Sequence, residues 1–256
     1  MKETQFHIIK NTIPLLEKSI GLFCNVLEKP YWSNDEAGGQ PRYKNPTSGH
    51  FQLLMAVKTV STFNAILCLF EKGYIQEIGA LLRIIEECNA KIFCIEEAHT
   101  KEVLNSEQRK IINEYFEYDI RSSKDIFRDK WFANMAKVFA SQARFLTENT
   151  PNKDSHTTQQ YAQAIYDSYS GYVHGFYPQV MELYDYNISS FKLNGMADDP
   201  KHQGMVEAIA SSVVRSLNVF AQISIRFGLS ELKDELVRNR NIFIQSEAYS
   251  GNKETE

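Results

Sequence analysis

One stretch constrains this fold more than any other. Across residues 74–98, Ile75, Ile78, Leu81, Leu82, Ile84, Ile85, Cys88, Ile92, Phe93 and Ile95 cover most of a helical circumference. A helix apolar nearly all round has little solvent face and belongs at the centre of a helical assembly. Residues 50–72 carry a second helical period and are followed by Gly73, a natural helix stop. The two segments are therefore expected as a central antiparallel pair joined by a tight turn. Arg83, Glu86 and Glu87 sit inside the apolar run. Long buried helices rarely keep charged residues without partners, so these three mark an organised polar cluster.

Apolar residues recur at three- and four-residue steps in nearly every other long segment, and strand-like alternation is scarce. The fold class is thus all-α, a single-domain helical bundle over residues 1–245 with a polar tail over 246–256. A first helix is expected over about 3–28, with Phe6, Ile9, Ile13, Leu16, Ile20, Phe23 and Val26 along one face. Residues 31–48 contain Gly38-Gly39, Pro41 and Pro46 without a helical period, and are expected as a mobile loop carrying Trp32, Arg42, Tyr43 and Lys44. Further helices are expected over 106–122, 130–145, 157–174, 206–227 and 230–238. Thr157 and Gln160 resemble a capping box, Gly175 and Gly228 are stops, and Ser230 is an N-cap. Pro178 suits the first turn of a short helix to about residue 186. Residues 147–155 and 187–201 read as loops.

With 256 residues, 43% of them hydrophobic, one large core is affordable, and no linker composition divides the chain. A net charge of −4 and a pI near 5.9 provide no overall basic field for a nucleic-acid backbone. The polar start Met1-Lys-Glu-Thr-Gln-Phe argues against a signal peptide, and no apolar run approaches the roughly 18 residues a membrane span needs. A soluble cytoplasmic protein is expected. Cys24, Cys68, Cys88 and Cys94 fall in helical apolar patterns without a C-x-x-C pair, as reduced core thiols do.

Arg83 and Glu87 stand four apart and share a helix face. Tyr166, Ser170 and His174 form a ladder at four-residue steps on another helix, with His174 in the last turn, where the helix dipole favours an imidazolium. If the ladder faces Arg83 and Glu87, either of two roles is open. The group joins two helices as a structural network, or His174 acts as a general acid/base beside a cationic Arg83.

The run from Phe63 through Gly73-Tyr74 and Ala80-Leu-Leu-Arg83-Ile-Ile-Glu-Glu87, with Tyr166-x-x-x-Ser170-x-x-x-His174-Gly175, resembles a widespread bacterial all-helical family of HEPN-like character. The resemblance covers about a third of the chain closely. It implies a helical bundle, a homodimer, and a place in a defence or toxin system. Many HEPN proteins are metal-independent ribonucleases whose signature is an Arg, four to six residues, then a His. Here the positions that Arg would take before His174 are Asp167, Ser168 and Tyr169, so Arg83 from the neighbouring helix would have to supply the charge.

Other motifs carry less. Glu96-x-x-His99 has the spacing of di-iron bundles but no second copy, and Asp199-x-x-His202 lies beside Pro200 in an expected loop, so no metal or cofactor is expected. Seven tyrosines between Tyr161 and Tyr186 suit core packing, a dimer interface or base stacking. Arg121, Lys124, Arg128, Lys130, Lys137 and Arg144 alternate with acids and read as a solvated face. Two functions remain: a noncatalytic interaction or dimerising module, and a HEPN-like endoribonuclease using His174 and Arg83 on RNA.

Overall fold

The computed structural model describes residues 2–35, 38–100, 106–117, 138–140, 155–197 and 199–245. Among them run eight helices: α1 (Lys2–Val26), α2 (Ser48–Lys72), α3 (Ile75–Thr100), α4 (Ser106–Glu117), α5 (Ser155–His174), α6 (Tyr177–Met181), α7 (Pro200–Arg226) and α8 (Ser230–Gln245). Two small antiparallel hairpins join them, β1 (Tyr31–Asp35) with β2 (Gly38–Arg42), and β3 (Tyr184–Asp185) with β4 (Ser190–Phe191). The chain is all-α, as its periodicity requires.

Glycines end three helices in the same way. Gly73, Gly175 and Gly228 have φ of 73°, 62° and 70°, a left-handed conformation that only glycine adopts freely. The residue after each donates back to the last helical turn: Tyr74 to Leu69, Phe176 to Gly171 and Leu229 to Ser224, at 2.8–3.1 Å. α2 starts from Thr47, which accepts from the His50 N–H while His50 Nδ1 accepts from the Thr47 N–H at 3.1 Å. His50 thus fills the place usually held by Glu or Gln.

Cross-helix contacts fix the directions. Lys10–Glu71 and Glu17–Asn64 make α1 and α2 antiparallel, and the Gly73 turn folds α3 back on α2. Along α3 and α7 the partners rise together, Glu86 with Arg215, Asn89 with Ser216 and Glu96 with Arg226, so these two are parallel. Along α5 they fall, Tyr166 with Arg83 and Tyr172 with Gly79, so α3 and α5 are antiparallel. α3 therefore packs against α2, α4, α5 and α7, the central position its apolar circumference demands. Ile75, Ile78, Leu82, Ile85, Ile92 and Ile95 are fully buried there.

Several expectations need correction. Tyr31–Asp35 and Gly38–Arg42 pair as antiparallel strands inside the expected loop; the Trp32 ring lies on Gly39, where any side chain would collide with it. α7 begins at Pro200, six residues early, because Asp199 caps it by accepting from the Lys201 N–H and proline suits the first turn. Asp199-x-x-His202 consequently lies at a helix start and not in a loop. α5 begins at Ser155, α6 ends at Met181 with a hairpin following it, and α8 reaches Gln245. Cys24 and Cys68 are exposed, since they sit on the outer faces of α1 and α2; Cys88 and Cys94 are buried. α2 and α7, contrary to expectation, are long and apolar enough to cross a membrane by length and composition. Many of their apolar residues face the core, with Phe51, Phe63, Ile66, Val213, Leu217 and Phe220 at 0–1% exposure, whereas Val57 and Ile225 are exposed. The expected helix over 130–145 is described only at 138–140, and the basic residues 121–144 and the tail 246–256 lie outside the described residues.

Candidate functional site

α3 and α5 come close at Gly79, and α5 and α6 at Gly171. The Tyr172 ring sits directly on Gly79, and the Gln179 amide sits over Gly171. This approach brings Arg83 of α3 against the ladder of α5. Arg83 Nε donates to Glu87 Oε1 at 3.1 Å, Nη2 donates to the Tyr166 hydroxyl, and Nη1 lies 3.2 Å from His174 Nε2. Its Cζ stands 4.4 Å from the Tyr166 ring centroid, so the cation also rests on the aromatic face. Glu87 Oε2 takes a second cation, Lys91, at 3.6 Å. Arg83, Glu87 and Lys91 are only 11–17% exposed.

Four of the five sequence-selected residues, Arg83, Glu87, Tyr166 and His174, meet here. Ser170 does not join them: its hydroxyl donates to the Tyr166 carbonyl at 2.8 Å, a bond within its own helix. Burial pushes the Tyr166 phenol above its ordinary pKa and Glu87 adds to this, while Arg83 works against both. A guanidinium has only donors, so its contact with His174 is a hydrogen bond when Nε2 offers a lone pair and the ring proton sits on Nδ1. His174 itself is exposed and stacks near Phe176, with ring centroids 5.9 Å apart.

Two further polar networks escaped the sequence reading. Glu86 accepts from Arg215 Nε at 2.8 Å and Nη2 at 2.6 Å, a two-pronged fork, and from the Ser212 hydroxyl at 2.6 Å. Burial pulls the Arg215 guanidinium down, but Glu86 more than offsets this and the net shift is upward. Tyr169 bonds to Arg215 and is pushed up to about 12, by burial first and then by Glu86, with Arg215 working the other way. In the second network Glu96 accepts from Gln52, whose own oxygen accepts from Arg226; Arg226 also donates to Ser48 at 2.6 Å. Burial raises the Glu96 carboxyl, against the Gln52 bond and Arg226. Glu96 is thereby committed within the protein, and the His99 side chain lies outside the described residues. His202 Nε2 donates to the Phe70 carbonyl at 2.7 Å and the ring stacks on Phe70, while among the described residues its buried Nδ1 has no hydrogen-bond partner. A signal for Arg215 was present, since Ser212-x-x-Arg215 interrupts a strongly apolar helix as Arg83 interrupts α3.

Beside His174 the surface changes character. Half of the large apolar side chains exposed among the described residues, eight of sixteen, fall between Val173 and Leu193, so the exposure is concentrated. They include Phe176, Tyr177, Tyr186, Ile188 and Leu193, at 54–80% exposure. No exposed residue from Val173 to Asn194 bears a formal charge. The charged residues of this stretch are half-buried and engaged: Glu182 accepts from the Tyr172 hydroxyl at 3.0 Å, and Lys192 pairs with Asp185 at 2.8 Å. Of the seven tyrosines, Tyr161, Tyr177 and Tyr186 are exposed, whereas Tyr166, Tyr169, Tyr172 and Tyr184 are partly buried. No family model, curated protein or solved structure matches this chain.

Proposed function

We propose that this chain is a noncatalytic, cytoplasmic interaction module that self-associates through the face built from the end of α5, α6 and the β3–β4 hairpin. The observation that carries the reading is the charge-free, aromatic-rich exposure between Val173 and Asn194. Depletion of charge and enrichment in Tyr and Phe is what distinguishes the core of a protein interface from ordinary surface. A neutral face also does not repel its own copy, and a twofold pairing of like patches is the commonest oligomer. On this reading the Arg83 cluster is structural, since it holds α5 against α3 beneath the face. A HEPN-like place in a defence or toxin system belongs to the same proposal.

The test is sedimentation velocity over micromolar concentrations. The wild type should form dimers, and Leu193→Asp with Tyr177→Asp should be monomeric with an unchanged melting temperature. A wild type that stays at 29.5 kDa throughout refutes self-association.

The second reading, a metal-independent endoribonuclease, rests on a separate observation: His174 is exposed and sits 3.2 Å from Arg83, an acid/base beside a cation. Single-stranded RNA incubated with chelator would be cut by the wild type, and about a hundredfold to ten-thousandfold more slowly by His174→Ala. RNA left intact, or equal cutting by both proteins, removes this reading.

A further inference from the structure

We propose that the Arg83–His174 contact is a proton-operated latch at the edge of the uncharged face, closed when the His174 ring is neutral and released by acid, and that its release weakens self-association. The second half rests on the interface proposed above; the first half stands on geometry alone.

The closed state needs the Nε2 lone pair, because Arg83 Nη1 at 3.2 Å can only donate. A proton on Nε2 would turn that nitrogen into a second donor aimed at a guanidinium. The nearby acceptors already serve other groups. From α3, Glu87 Oε1 accepts from Arg83 and Oε2 pairs with Lys91. From α5, the Tyr166 hydroxyl accepts from Arg83, and Asp167, two turns before His174, accepts from Gln163 at 2.8 Å. Phe176, the remaining close neighbour, has no polar side-chain atom. Donor would then face donor, each carrying positive charge, so a protonated ring leaves Arg83.

It has somewhere to go. His174 is exposed and ends α5, where free carbonyls favour a cation. The two positions of the ring are thus matched to its two charge states. The charged position also matters to a partner. Protonation places a positive charge among exposed residues that otherwise have none, and in a pairing of like patches both copies receive it. The apolar neighbours Val173, Phe176 and Tyr177 would then have to bury a cation on association, which is unfavourable without a countercharge.

Two measurements test the proposal separately. Nitrogen-15 spectra of the imidazoles, with His174→Gln identifying the resonance, should show the neutral His174 ring protonated at Nδ1, and Arg83→Met should abolish that preference. A neutral ring protonated at Nε2, or a tautomer unaffected by Arg83→Met, overturns the latch. Sedimentation across about pH 8 to 5, the interval in which imidazoles titrate, should show the wild-type dimer weakening about tenfold or more. His174→Gln offers Arg83 an acceptor that takes no proton, so its dimer should hold steady. Equal weakening in both proteins overturns the coupling. A wild type monomeric at every pH defeats the interface and the coupling together, while the nitrogen spectra still decide the latch.

Discussion

Replacing Arg215 with Met should be among the most damaging single changes available in this chain. Glu86 is 7% exposed and depends on Arg215 for two of its three hydrogen bonds, at 2.6 and 2.8 Å, with Ser212 supplying the third. Removing the cation leaves a buried carboxylate with one hydroxyl partner, and stranding one member of a buried pair costs about 3–5 kcal/mol. The Arg215 side chain is 26% exposed, so water already screens part of the attraction and the lower end, about 3 kcal/mol, applies. For a chain of this size that corresponds to a fall of roughly 6–12 °C in melting temperature. The control is the double replacement Glu86→Leu with Arg215→Met. An apolar pair of similar volume is often as stable as a buried ion pair, so the double variant should recover most of the loss. Thermal and urea unfolding of the wild type, both single variants and the double variant complete the cycle. If Arg215→Met costs less than about 1 kcal/mol, or the double variant is no better than the single, Glu86 is not the stranded charge that this reasoning requires.

Gly79→Ala should destabilise by roughly 1–3 kcal/mol despite its better helix propensity, because the new methyl must displace the Tyr172 ring. Gly204→Ala on α7 has nothing within 4 Å of the added methyl and should be neutral or stabilising, by up to about 1 kcal/mol; urea unfolding distinguishes the two outcomes. For Glu96 burial raises the folded carboxyl above its unfolded value, so the native state holds that proton more tightly. Its contribution to stability is therefore largest below the ordinary carboxylate value of about 4.3 and is lost as pH rises from there through the raised folded value. The stability difference between wild type and Glu96→Gln should shift against the wild type across that window, and a constant difference refutes the assignment.

What could be read from sequence was whatever repeats locally. The placement of α3 follows from its apolar circumference, and three glycine stops follow from a conformation other residues resist. Other local signals were present but weighed wrongly. Asp199-Pro200 is a cap followed by a first-turn proline, yet the neighbouring Asn194-Gly195 made the stretch look like loop. The β1–β2 hairpin stayed hidden because its strands contain Pro41 and two glycines, and what orders Trp32 is the bare backbone of Gly39 across the ladder. Tertiary pairing was a harder matter. The partner of Glu86 lies 129 residues away, and nothing local says which cation will reach it. The rule that buried charge needs a partner was nevertheless sufficient to ask the question of α7 as it was asked of α3. Arg215 and Arg226 both lie on a helix whose other faces are filled with Val, Leu, Ile and Phe. Counting two unexplained cations on one apolar helix against Glu86 and Glu96 on another would have paired α3 with α7 before any coordinates. The spacings, ten residues on α3 and eleven on α7, let both pairs form at once in either orientation, and the observed pairing of Glu86 with Arg215 and Glu96 with Arg226 makes the helices parallel.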